Sequence, residues 1–150
     1  MSPETVNDPY ANKLVATDFY FQKTVLHGQM VVVLQGELDN RGLMIIKQPS
    51  RVVRQYEVIE MIMTDEESVE LGGIVNKIAY IGFFEMLAGG VLLVGDSVTL
   101  NGEPIGQICG FDETHYPNHL NVVIRHLSRS SGRKLDAQLG HRVYFSGRAV

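Results

Sequence analysis

Apolar residues along this chain recur at every second position more often than at helical spacing, in short runs broken by glycine, proline and asparagine. The clearest case is residues 91–111, which alternate on both sides of Asn101-Gly102, a dipeptide suited to the positive φ of a hairpin turn. With Ile105 opening the return strand, the connection is about five residues long. Gly95, Gly106 and Gly110 inside these strands predict the tight bends of a small closed barrel. Upstream, residues 29–35 form a β-branched run between Gly28 and Gly36. Residues 37–42 read as a turn and 43–47 as a returning strand, together a hairpin.

Residues 53–63 are rich in strand formers, yet Glu57 and Glu60 fit no single polar face, which predicts a bulge. The acidic run 65–67 closes that strand. Residues 76–88 mix helical spacing with strand formers, and Gly89-Gly90 supplies a stop. A strand or irregular start followed by a short helix near 83–88 is expected. Two further strands, 120–127 and 141–146, are joined by a polar, basic connector at 128–140. The pattern predicts a mostly β fold, a small antiparallel β-barrel or curled sandwich with one or two short helices. Residues 1–12 read as a polar N-terminal tail and residues 13–150 as a single barrel-like domain.

Composition narrows the setting. A chain of 150 residues that is 45% hydrophobic has apolar surface to spare, which points to a homo-oligomer. Its one cysteine, Cys109, forms no internal disulfide, and the polar N-terminus lacks the basic and apolar segments of a signal peptide, so a cytoplasmic location is expected. Apolar runs such as 30–34 are strand-sized, so no membrane span is expected. The net charge of −4 divides into +5 over residues 125–150 and −9 over the rest. The basic segment reads either as a loop balancing an acidic body or as a lip for phosphate or carboxylate. An acidic body without interleaved basic and aromatic residues argues against nucleic acid as a partner.

The densest chemistry lies in residues 111–121, Phe-Asp-Glu-Thr-His-Tyr-Pro-Asn-His-Leu-Asn, where Pro117 excludes a regular helix. Three readings stand side by side. Asp112, Thr114 and Asn118 can satisfy local backbone groups and make the loop purely structural. Alternatively His115 and His119 with Asp112 can supply three ligands to a divalent metal and leave a position open. Thirdly, His115 can act as a base oriented by Asp112 or Glu113, with His119 or Tyr116 as donor. Arg125, on the following strand, is the expected contact for a substrate carboxylate, and Asn118 and Asn121 are the expected polar contacts.

Glu85, inside Phe83-Phe84-Glu85-Met86-Leu87, joins the site if it faces a cavity, and Glu57 and Glu60 carry the same ambiguity. Cys109, flanked by Ile108 and Gly110, reads as a small buried hydrophobe. The function expected is binding of a small anionic metabolite in the barrel mouth, with lyase, isomerase or cyclase chemistry at the His/carboxylate centre. The rival is a binding or assembly subunit whose 112–121 loop is structural.

Overall fold

Strands with one apolar face must hide it, and this chain does so by closing a ring. The computed structural model describes residues 24–147, which hold twelve strands and no helix. In chain order these begin with β1 (Leu26–Val33), β2 (Glu37–Leu38), β3 (Leu43–Met44), β4 (Ser50–Val53), β5 (Val58–Thr64) and β6 (Ile74–Val75). They continue as β7 (Ile78–Met86), β8 (Gly90–Leu93), β9 (Ser97–Leu100), β10 (Glu103–Asp112), β11 (Leu120–Arg125) and β12 (Arg142–Ser146). The expected tail at 1–12 lies outside the described residues. No helix among the described residues is long and apolar enough to cross a membrane.

Seven strands make a closed wall in the order β1, β12, β9, β10, β11, β5, β7, with β7 returning to β1. Seven strands in a ring cannot alternate direction at every step, so at least one neighbouring pair must run parallel. That pair is β5 with β11. The β-barrel expected from the periodicity is therefore present, with this one departure from a fully antiparallel wall.

About eight strands give a bore that side chains just fill, and seven make it narrower. Phe84, Phe111, Phe145, Met30, Met61 and Val122 are buried together inside it. The 128–140 connector crosses one end: the amides of Gly132 and Arg133 donate to the carbonyls of Tyr80 and Leu34, and Leu135 and Ala137 pack on the core. At the other end β4 pairs with β8 and sends Val53 and Leu92 inward. Side chains thus fill the bore, with the connector at one end and the β4–β8 pair at the other.

A second apolar cluster lies outside the ring, where Leu43, Ile45 and Val75 pack on Ile62, Ile78 and Val123. It is made by an arm of two segments, residues 39–47 and 65–76, whose β3 and β6 pair across the outer face of the wall. Two sequence expectations fail for this reason. Residues 43–47 do not return along β1, because β1 has both edges occupied by β12 and β7; Leu43 pairs with Val75 instead. Residues 83–88 are not helical but finish β7. The register slips where β7 faces Met61 and Ile62, leaving Ile81 as an extra residue, and this breaks alternation into the spacing that resembled a helix.

The hairpin read from Asn101-Gly102 is correct but tighter than expected. Both residues have positive φ, 51° and 84°, and Glu103 already pairs with Leu100. The bends read from Gly106 and Gly110 are register shifts in β10.

At Gly132 a β-carbon would overlap the backbone carbonyl of Ile81, which holds the connector against the wall. Gly132→Ala should therefore cost about 2 kcal/mol or more in urea denaturation. Gly140→Ala, at a positive φ of 85° but in open space, should cost about 1 kcal/mol.

Candidate functional site

Register places four side chains in one row across the outer wall. Asp112 on β10 stands beside Asn121 on β11, Asn121 beside Glu60 on β5, and Glu60 beside Phe83 on β7. Their strand neighbours Phe111, Leu120, Val122, Ile59, Met61 and Phe84 point into the bore, so the row faces outward at the margin of the arm.

Asp112 is fully buried and saturated. Its Oδ2 accepts from the Met44 amide at 3.0 Å and the Thr114 hydroxyl at 3.0 Å; its Oδ1 accepts from the Thr114 amide at 2.9 Å and Asn121 Nδ2 at 3.2 Å. It closes the start of the loop and pins the arm to the wall. With its amide hydrogens turned to Asp112, Asn121 is left with a buried Oδ1 that has no hydrogen-bond partner.

Glu60, next in the row, is 8% exposed and touches the loop from the far side of the fold's sequence: its Oε1 lies 3.3 Å from His119 Nε2. This is ion-pair distance, yet the buried Nε2 makes no aligned hydrogen bond. The other ring nitrogen, Nδ1, lies 2.7 Å from Asn118 Oδ1. An amide oxygen only accepts, so in this contact Nδ1 is the donor. The ring is held edge-on against Phe83 at 5.1 Å, and His115 lies 5.1 Å away. Burial raises the Glu60 carboxyl above the usual glutamate range, opposed by His119, His115 and Arg41. Arg41 itself is fixed by donating Nε to the Tyr80 hydroxyl at 3.2 Å.

A model of a family of unknown function, DUF6917, matches residues 20–146. The chain belongs to the DUF6917 family. No curated protein and no solved structure matches it.

Within this DUF6917 domain the residues singled out from sequence separate. His115, His119, Asn118 and Asn121 come together. Asp112 is next to them, and its oxygens accept from Met44, Thr114 and Asn121. Among the described residues no three His, Cys, Asp or Glu side chains are grouped as a metal ion would need. Glu113 pairs with Arg51 at 2.8 Å, and Arg51 lies 4.6 Å over the exposed Tyr116 ring, tying the loop to β4. Glu85 stands between the inward Phe84 and Met86 and faces outward, away from the bore. Arg125 is four residues along β11 from Asn121, about 13 Å away, so it belongs to a different place.

Glu60, the partner that matters, was recognisable only as a carboxylate in the otherwise apolar run Val58-Ile59-Glu60-Met61-Ile62-Met63. Arg41, Arg51 and Phe83 gave no signal, because their roles rest on pairings across the fold.

Asp112→Ala should cost about 3 kcal/mol or more in denaturant unfolding, since it strands buried donors on both the arm and the loop. Exchange of the Met44 and Thr114 amides should speed up with it, while His115→Ala, at an exposed position, should change stability by less than about 0.5 kcal/mol. Folding raises the Glu60 carboxyl, so its protonated form contributes stability at low pH that is lost as pH rises from the usual glutamate range through the raised one. Glu60→Gln should flatten that decline and raise the melting temperature at neutral pH, read from thermal unfolding between pH 4 and pH 8.

Proposed function

We propose that this DUF6917 protein binds a small polar metabolite at the Glu60–His119–Asn121 patch and transfers a proton on it. The observation that carries the reading is the row of buried polar atoms at Glu60: Asn121 Oδ1, which has no hydrogen-bond partner, and His119 Nε2, which makes no aligned hydrogen bond and has Glu60 Oε1 at 3.3 Å. A fold seldom leaves such atoms unmet unless a ligand or water completes them. His119 Nε2 and Glu60 exchange the proton, and the Nδ1 bond to Asn118 holds the ring's tautomer. Asn121 Oδ1 accepts from a hydroxyl or amine of the ligand. The positive charge of Arg41, which acts on Glu60, suits a carboxylate on the same ligand. Isomerisation, lyase-type elimination and cyclisation of a small acid are reactions such a pair serves.

The rival reading, an assembly subunit with a structural loop, draws support from the saturation of Asp112. It also draws on two exposed cross-strand apolar pairs, Met44 with Ile74 and Val52 with Val91. The two readings differ in what happens at His119.

Nitrogen NMR of the imidazoles across pH, in the wild type and Glu60→Gln, tests the shared proton. His119 should show the Nδ1–H form when neutral, and its titration should change in Glu60→Gln. Identical titration in both proteins defeats the proposal. A thermal-shift panel of hydroxy and keto acids should give hits that vanish in His119→Gln and persist in His27→Gln. Hits indifferent to His119, or a dimer in sedimentation that dissociates on Met44→Lys with no ligand found, would favour the assembly reading.

A further inference from the structure

Arg125, separated from the histidines, opens onto a cleft of its own, about 360 Å³ in volume, within the roughly 300–1,000 Å³ of small-ligand sites. Its side chain is built in. Nε donates to the Glu66 carbonyl at 2.7 Å, which fixes the guanidinium plane and leaves both Nη groups without a protein partner among the described residues. Of the three other partly buried arginines of the described residues, Arg51 is neutralised by Glu113 and Arg129 by Glu37, Asp39 and Asp65, while Arg41 donates to the Tyr80 hydroxyl and acts on Glu60. Arg125 forms no such ion pair. The nearest carboxylate in sequence contact, Glu66, is turned to the amides of Asn76 and Lys77 at 2.6 and 2.8 Å.

Around this fixed cation the cleft is two-sided. Val69, Val94 and Ile108 supply an apolar wall, while Gln107 and Ser68 supply polar groups at the rim. Cys109 completes the wall as an inert group: its Sγ donates to the Val123 carbonyl at 3.4 Å, and burial pushes the thiol up to about 12. Glu67 also lines the cleft, but it is exposed and its repulsion of an anion is screened by water.

We propose that this cleft is a second ligand site, taking a small amphipathic carboxylate whose anion meets the Arg125 fork and whose short apolar chain lies against Val69, Val94 and Ile108. A planar guanidinium with one edge anchored and the other free is matched to the two oxygens of a carboxylate. The site stands independently of the proton-transfer reading, because it shares no residue with the Glu60–His119 patch.

Titration of labelled full-length protein with hexanoate, followed by amide NMR, tests it against hexanamide, the neutral probe of the same shape. Hexanoate should shift the amides of Val69, Gln107 and Cys109 saturably, and hexanamide should bind at least about tenfold more weakly. Arg125→Gln should weaken hexanoate at least about tenfold. Arg125→Lys, which loses the same bond to Glu66 but keeps the charge, should fall between, and Glu67→Gln should tighten binding about twofold. Equal binding of the two probes, shifts scattered over the surface, or hexanoate affinity unchanged in Arg125→Gln would each overturn the proposal. Because Arg125→Lys and Arg125→Gln disturb the 66–68 turn alike, the difference between them reads charge and not folding.

Discussion

A ring of seven strands has to contain a parallel pair, and much of this molecule follows from where that pair falls. Parallel neighbours are rarely left with a wet face, and β5 and β11 obey this: Met61 and Val122 enter the bore while Ile62 and Val123 point the other way into a second core. Something must cover that second face, and the chain does so with the β3–β6 pair, in residues 39–47 and 65–76. The arm's grip on the wall is polar as well as apolar. The Met44 amide donates to Asp112, and the Ile46 amide to the Phe111 carbonyl. The row Asp112–Asn121–Glu60–Phe83 therefore lies at the margin of a covered surface, where side chains are buried without being inside the barrel.

The same constraint explains what was readable in the sequence. The β9–β10 hairpin was legible because its pairing is local and its turn is encoded in two adjacent residues. β12 and β11 were legible as short alternating or apolar runs with clear ends. β7 was not, because an extra residue at Ile81 and a covered outer face erase the period of two on which such a reading depends. The partner of β3 was not legible either: sequence proximity favoured β1, whose edges are taken by β12 and β7. Nothing local announces that Leu43 will meet Val75.

The polar density of residues 112–121 drew attention to the loop but could not divide its labour. Asp112 and His119 look equally chemical in sequence. In the fold one is a brace and the other is not, and the difference comes from Met44 and Asn121 on one side and Glu60 on the other. Arg125 seemed part of the same centre because it follows closely along the chain. A strand carries it about 13 Å away in four residues, enough to place it in another cleft.

Two carboxylates in one row, Asp112 and Glu60, are separated by a single strand and live under opposite conditions. Asp112 has four donors, all from the loop, the arm and β11. Glu60 is buried with His119 in contact and His115 and Arg41 acting on it from further off, and burial still raises its carboxyl. A buried carboxylate kept in that state costs stability that an apolar side chain, like Ile62 two residues on, would not. Asn121 joins the two, giving its hydrogens to the satisfied acid and turning its bare oxygen away from it. That asymmetry is what a structural loop alone does not require, and it is the ground on which the proposal puts Glu60 and His119 at the centre, with Asp112 holding the frame.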